Sequence, residues 1–228
     1  SGVYEIKISN ALRGFRFANS GDRQKMRNIS NYGILEINTN ETFRSCENIT
    51  ATATDAPLIS ANDMSATFQN CISFNGNISN WNMSNVTNIN NMLSNCRAFN
   101  QSLTNWNVAN MTLMSSTFFN TLALLSLDVS NWNVAKVSSL QNAFVFSNAN
   151  PDVTNWNTSA LIEARNCFDR APNFDRNMAA WDITKLANIS SFLNAVTLST
   201  VNYDATLIGW NSQVPINGRT ISFGNSRF

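Results

Sequence analysis

Histidine is absent from this 228-residue chain, and only 13% of its residues carry charge. The first absence removes the commonest general base and the usual orienting member of a nucleophilic triad. No GxSxG elbow, phosphate-cradling loop or paired-carboxylate motif stands in its place, so the chain reads as a non-enzyme with no catalytic residues. Its four cysteines, Cys46, Cys71, Cys96 and Cys167, form no CxxC pair. Without histidine or CxxC a zinc site lacks its ligand set, and no EF-hand-like loop provides for calcium, so neither metal nor cofactor is expected. The main acidic clustering, Glu163 with Asp169, Asp175 and Asp182, reads as a solvated face before a calcium site or a glycosidase-type carboxylate pair. A net charge of +1 provides no basic field, which argues against nucleic acid and against an anionic membrane as partners. No apolar run approaches the roughly 18 residues of a membrane span, so direct insertion into a bilayer is not expected. The chain opens at Ser1 without Met or a signal peptide and reads as a processed product or a fragment.

What the chain does have is a period. Tryptophans stand at 81, 106, 132, 156, 181 and 210. The first five fall at near-equal steps of about 25 residues, within the range of tandem repeats. Such a repeat implies one supersecondary unit stacked on copies of itself, because a single unit cannot bury its own apolar face. Apolar residues keep the frame: Ile78, Leu103, Val129, Val153 and Met178 three before each Trp, and Met83, Val108, Val134, Thr158 (the exception) and Ile183 two after it. Val86, Met111, Val137, Leu161 and Leu186 follow five past the Trp. A further column runs Phe43, Phe68, Leu93, Phe118, Phe144, Phe168 and Leu193, so stacking is expected from Phe43 onward in about seven coils.

Alternation in Trp-x-apolar has period two and predicts a short strand there. Apolar spacings of three or four between about five and fifteen residues past the Trp predict helical turns. The expected fold class is α/β: a leucine-rich-repeat-like right-handed solenoid with short parallel strands on one face and helical turns on the other. Trp81, Trp106, Trp132, Trp156 and Trp181, with Phe68, Phe118, Phe144 and Phe168, form its structural core. Each end needs a cover. Residues 1–42, with alternating Tyr4, Ile6 and Ile8 and then Phe15, Phe17, Ile29, Ile34, Leu35 and Ile37, suit an N-terminal cap, 43–198 the repeat solenoid, and 199–228 a C-terminal cap. The last would hold an amphipathic turn of Tyr203, Leu207, Ile208 and Trp210 and a strand from Ile221 to Phe223. Trp210 lies further from Trp181 than the period allows and is assigned to this cap.

Asparagine is over-represented, and its placement is ordered. Four repeats read Asn-Trp-Asn, giving Asn80 and Asn82, Asn105 and Asn107, Asn131 and Asn133, Asn155 and Asn157. If the Trp points inward its neighbours point outward, and two Asn columns would line a concave face. They read either as an amide ladder bonding along the stack or as a polar recognition surface. Low-complexity disorder conflicts with the strict apolar period. Cys46, Cys71 and Cys96 occupy one repeat position and would stack on adjacent coils as buried thiols, or as a disulfide with one thiol left over. Ten Asn-x-Ser/Thr sequons occur. Asn28 and Asn48 are the surface candidates for glycosylation if the chain passes a glycosylating route.

The string SNWNMSNVTNINNMLSNCRAFNQSLTNW (79–106) resembles the repeat of the BspA-type leucine-rich-repeat surface proteins, which include mycoplasma-type 25-residue lipoprotein repeats. The resemblance spans about residues 43–198. GVYEIKIS (2–9) is similar to the last strand of a PKD-like β-sandwich that often precedes such repeats, and NYDATLIGWNSQ with ISFGNS resembles their C-terminal cap. The resemblance implies a secreted, cell-surface or virion-displayed protein that recognises or adheres to a protein or a glycan. Related repeats in phage and large-virus proteins add an alternative, a structural component of a virion or extracellular assembly contacting neighbouring subunits. An enzyme-accessory domain is the third class. TFFNTLALLSLDV (117–129) and the charged Glu163 and Arg165 depart from the pattern, and local irregularity is expected at both.

Overall fold

The computed structural model describes residues 10–213 and 221–227. The expected strand through Tyr4, Ile6 and Ile8, and with it the PKD-like similarity, lies outside the described residues. The fold is mixed: short strands that all pair in parallel, one α-helix, and no closed barrel among the described residues. Five strands fall in the first quarter or so of the chain: β1 (Leu12–Arg13), β2 (Asn28–Ile29), β3 (Leu35–Ile37), β4 (Thr50–Ala51) and β5 (Leu58–Ile59). β1, β3 and β5 form one sheet in that order and β2 and β4 another. Beyond them, single parallel bridges link Asp63, Asn88, Leu113, Ser139, Glu163 and Asn188 in succession.

From Asn88 on, these bridges sit seven positions after each repeat Trp, not at Trp-x-apolar, where no strand forms. Pairing also begins well before Phe43. Leu12 pairs with Leu35 and Asn28 with Thr50, offsets shorter than the tryptophan period and so invisible to it. Phe17 N donates to Thr42 O (2.9 Å), and the Phe15 and Phe43 rings meet at 6.2 Å.

No helix occupies the stretch past the bridge, and the reason lies in where its backbone hydrogen bonds go. In one unit the N–H groups of Ala66, Phe68 and Asn70 donate to the carbonyls of Asn90, Met92 and Ser94 in the next, at 2.8, 2.9 and 2.8 Å. The pattern recurs for Asn91, Leu93 and Asn95, for Ser116, Phe118 and Asn120, for Asn142, Phe144 and Phe146, and for Asn166, Phe168 and Arg170. A helix would spend these donors on its own carbonyls four residues back. Aiming every second N–H at the next unit instead puts the flanking residues into the left-handed region: Ala66 and Asn70, Asn91 and Asn95, Ser116 and Asn120, Asn142 and Phe146, Asn166 and Arg170 all have φ between +53° and +62°. Asparagine is among the few residues with a side chain that tolerate this region, and six of these ten positions are Asn. The apolar three-and-four spacing therefore marks inward-facing residues of successive tight turns.

The core is a set of stacked columns. Phe118, Phe144 and Phe168 stack at 5.2 Å between centroids, Phe43 lies on Phe68 at 5.3 Å, and Trp106 on Trp132 and Trp156 on Trp181 at 6.1 Å. From Trp106 onward each indole also ties to the unit before. Nε1 of Trp106, Trp132, Trp156 and Trp181 donates to the carbonyl of Ile78, Leu103, Val129 and Val153, at 2.8, 3.3, 3.1 and 2.9 Å. Trp210 lies on α1 (Thr200–Asn211), yet its Nε1 reaches Met178 O at 2.7 Å and so adds a further rung. The helix path accounts for the longer spacing from Trp181.

Asp175 holds the start of α1, accepting from Ser199 N (2.9 Å) and Asn202 Nδ2 (2.8 Å), and Thr206 Oγ1 accepts from Met178 N (3.0 Å). Leu207 and Ile208, expected beside Trp210, face solvent instead. Ile221 to Phe223 forms no strand, and Phe223 packs on Trp210 at 5.7 Å. Gly224, at φ +62°, is required there because a Cβ would overlap the carbonyl oxygens of Leu193 and Val196.

Two asparagines with different backbone duties test this account. Asn95→Val places a β-branched residue at φ +61° and breaks side-chain bonds to Asn70 and Asn120. It is expected to cost about 2–4 kcal/mol. Asn105→Val, exposed and without such duties, should change stability by less than about 0.5 kcal/mol. Chemical denaturation of both variants checks the contrast.

Candidate functional site

Each repeat Trp is bracketed by two tight turns that push it inward and its neighbours outward. Trp81, Trp106, Trp132 and Trp156 are buried, while Asn80, Asn82, Asn105, Asn107, Asn131, Asn133, Asn155 and Asn157 are all exposed. The turn after the Trp is closed by the asparagine itself. Oδ1 of Asn82, Asn107, Asn133 and Asn157 accepts the backbone N–H two residues on, from Ser84, Ala109, Ala135 and Ser159, at 3.1, 3.1, 3.2 and 3.1 Å. These are Asx turns, in which a side-chain carbonyl takes the place of a backbone one. Asp182 makes the same bond to Thr184 N at 2.9 Å, where the Asn column ends. Asn77, Asp128, Asp152 and Asn177 close the turn before the Trp in the same way.

The amide ladder expected in these columns is elsewhere. No hydrogen bond joins Asn80, Asn105, Asn131 and Asn155, or Asn82, Asn107, Asn133 and Asn157, to one another among the described residues. The ladder runs Asn70, Asn95, Asn120, each Nδ2 donating to the previous Oδ1 at 2.8 Å, and Asn166 donates to Asn142 at 3.0 Å. Left-handed residues on successive units lie side by side, which brings those carboxamides into register. The Asx turns hold the Asn82 column away from its neighbours. A further set, Asn75, Asn100, Asn150 and Asp175, caps backbone N–H groups of the following unit. Only recurrence at one repeat position could have signalled it.

An open cleft of about 360 Å³ adjoins this face, lined by Leu125, Ser126, Leu127, Asp128, Asn150, Asp152 and Arg176. Asn150 fixes Arg176, whose Nε donates to its Oδ1 and Nη2 to its backbone O, both at 3.1 Å. Hydrogen bonds from the Ser130 hydroxyl and backbone hold the Asp128 carboxyl below its usual range, so it is ionised at neutral pH. The departure at 117–129 leaves Leu122 and Leu125 exposed, as is Phe146, which Phe119 meets edge-on at 6.3 Å and Arg170 covers at 5.3 Å. Glu163, by contrast, is regular. Its Oε1 accepts Arg165 N at 2.8 Å as Asn188 Oδ1 accepts Ser190 N, and its parallel bridges are unbroken.

Of the remaining acidic side chains, Asp175 is tied most firmly. Burial pushes its pKa up, but bonds from Asn202 and Ser199 outweigh this and hold it below the usual range. Among the described residues no three Cys, Asp or Glu side chains converge as a metal site would need. Asn28 is exposed and shares bonds with Thr50 and Thr52. Asn48 is half-buried, and its Nδ2, the atom a glycan would take, donates to Gln24 O at 3.0 Å.

All four cysteines are buried free thiols. Cys71 and Cys96 donate to the carbonyls of Phe43 and Phe68 at 3.0 Å, and the hydroxyl of Thr121 takes the same position in the next unit, bonding to Phe118 O. Cys71 and Cys96 thus act as weak donors, and none of the four cysteines is in a disulfide.

Successive units paired in parallel, with a buried tryptophan from Trp106 onward bonded to the unit before, define a tandem-repeat protein. The chain belongs to the family described as Mycoplasma protein of unknown function, DUF285, which matches residues 37–150 and 118–206. Membership is consistent with a mycoplasma-type surface repeat protein and leaves the BspA type unassigned. No curated protein and no solved structure matches the chain.

Burial raises the Cys46 pKa to about 12 and pushes the other three thiols up as well, with Cys96 and Cys46 adding charge repulsion at Cys71. Native chain at pH 8 should resist iodoacetamide, and all four thiols should react in denaturant. Because only the unfolded chain releases these protons above about pH 8.5, stability should be intact below that pH and fall as pH rises toward about 12. Mass spectrometry and denaturation across pH read both effects.

Proposed function

We propose that the chain is a non-enzymatic recognition or adhesion module, displayed at a cell surface or in the extracellular space. It acts as a right-handed leucine-rich-repeat-like solenoid of the BspA type that binds a protein or a glycan. The observation that carries this reading is the exposure of all eight asparagines of the Asn-Trp-Asn units. They recur on successive units, so a ligand meets the same chemistry several times over, and weak contacts add along the stack.

A second reading, a structural subunit of a virion or extracellular assembly, has its own support. Val201 and Ile208 stand 78% and 73% exposed on α1, at the end of the stack where a neighbour would abut. Exposed apolar side chains at such an end favour association.

Substitution separates the two. Asn105→Lys with Asn107→Lys should abolish attachment to surfaces that the unmodified chain binds, with assembly unchanged. Val201→Lys with Ile208→Glu should disrupt assembly and leave attachment intact if the second reading holds. Neither reading survives if both pairs leave attachment and assembly untouched.

A further inference from the structure

The column of side chains that caps the backbone of the following unit has a gap. Asn75 Oδ1 accepts Asn100 N at 2.9 Å, Asn100 Oδ1 accepts Leu125 N at 3.2 Å, Asn150 Oδ1 accepts Asp175 N at 3.1 Å, and Asp175 Oδ1 accepts Ser199 N at 2.9 Å. Leu125 holds the same position and has no oxygen to offer. The Asn150 N–H is therefore without an acceptor among the described residues, and the Leu125 side chain stands 61% exposed. Spacing changes at the same point. Asn77, Asp152 and Asn177 stand two positions after Asn75, Asn150 and Asp175, but Asp128 stands three after Leu125. The cleft of about 360 Å³ opens where the missing cap and the extra residue coincide.

Its lining is charged and held in place. Arg176 donates to Asn150 through Nε and Nη2, which leaves Nη1 without a partner among the described residues. Asp128 and Asp152 each close the turn before the Trp with Oδ1, so each keeps Oδ2 free for a ligand. These groups decide what fits. The missing cap is an acceptor oxygen, and beside a guanidinium a carboxylate binds more strongly than a neutral oxygen. Two carboxylates against one guanidinium leave the cleft net negative, so the ligand carries positive charge as well. A divalent cation would sit against Arg176 and find no third acidic side chain converging there among the described residues. A neutral polyol would cover three charged groups without offering a counter-charge to any of them. The volume lies at the small end of the roughly 300–1,000 Å³ of small-molecule sites. We infer that this cleft binds a cationic α-amino acid, its carboxylate on the Asn150 N–H and the Arg176 guanidinium, and its ammonium and side-chain cation on Asp152 and Asp128. The site is separate from the Asn-Trp-Asn columns and does not rest on the recognition or the assembly reading.

The repeat itself supplies substitutions that keep the fold. Leu125→Asn restores the cap that Asn75 and Asn100 make and fills the carboxylate seat. Arg176→Gln keeps a bond to Asn150, as Gln101 Nε2 donates to Asn75 at 2.9 Å in an earlier unit. Asp128→Asn with Asp152→Asn keeps both turns, which Asn77 and Asn177 close elsewhere. The probes are L-lysine and L-arginine, titrated into the isotope-labelled whole chain at constant ionic strength while the Asn150 amide resonance is followed. That amide should move downfield and saturate at millimolar ligand. Lysinamide, which lacks the carboxylate, should bind about tenfold more weakly or not at all, and glutamate should not bind. Leu125→Asn and Arg176→Gln should each weaken L-lysine by about tenfold or more, with the melting temperature of the first unchanged or raised. The paired Asp→Asn change should remove the advantage of L-lysine over L-alanine.

The assignment is overturned if neither L-lysine nor L-arginine moves the Asn150 amide saturably, if lysinamide or glutamate binds as well as L-lysine, or if the Leu125→Asn chain keeps its affinity. Each of these outcomes leaves the effects of the substitutions at Asn105, Asn107, Val201 and Ile208 as they are, so the site fails without taking either proposed function with it.

Discussion

The structure depends on the forward hydrogen bond, by which a backbone N–H in one unit is satisfied by a carbonyl in the next. Buried backbone groups must be paired, and a short loop of turns cannot pair them internally. In six successive units, from Glu41 to Arg170, three donors, two of them left-handed residues with an inward-facing apolar residue between, reach across to the following unit. Everything else follows from that choice. Aromatic columns stack because the units are held in register, and indole N–H groups find carbonyls because the same register places one carbonyl beneath each ring from Trp106 onward.

This arrangement explains the abundance of asparagine more fully than any single role does. In the turn stretch Asn supplies the left-handed conformation at least cost among residues with side chains, and its carboxamide then meets its counterpart on the next unit. Around the Trp it closes Asx turns and stays at the surface. At Asn75, Asn100 and Asn150 it caps the backbone of the neighbouring unit. In one pair of units other residues replace it: Arg170, left-handed at φ +53°, lies over the Phe146 ring, itself left-handed.

A chain of forward bonds has two ends, and they are treated differently. At the C-terminal end α1 carries Trp210 into the last rung, and Gln213 donates to Trp181 O at 2.8 Å. At the other end the indole series starts unpaired. Trp81 Nε1 is buried without an acceptor among the described residues, and Tyr32, whose hydroxyl is likewise buried and unpaired, sets its ring at 83° to the indole, 5.5 Å away. Here the upstream units are shorter than those that follow, and the carbonyl register is lost. A carboxylate does part of the missing work, with Asp55 accepting Tyr32 N at 2.9 Å and Gly33 N at 2.6 Å.

Sequence alone determined the period, the inward tryptophan and phenylalanine columns and the outward asparagines, because burial repeats as strictly as the residues that are buried. It placed the strand and the helix wrongly, because alternation and three-four spacing report which side chains face inward and not which carbonyl each N–H will choose. That choice is made between units and exists only once they are stacked. The same holds for Trp210, whose rung is set by a helix path, for the stacking upstream of Phe43, which the tryptophan frame passes over, and for the outward Nδ2 atoms. Tertiary structure decided these, since a carboxamide is symmetric in shape and only the backbone N–H beside it tells oxygen from nitrogen.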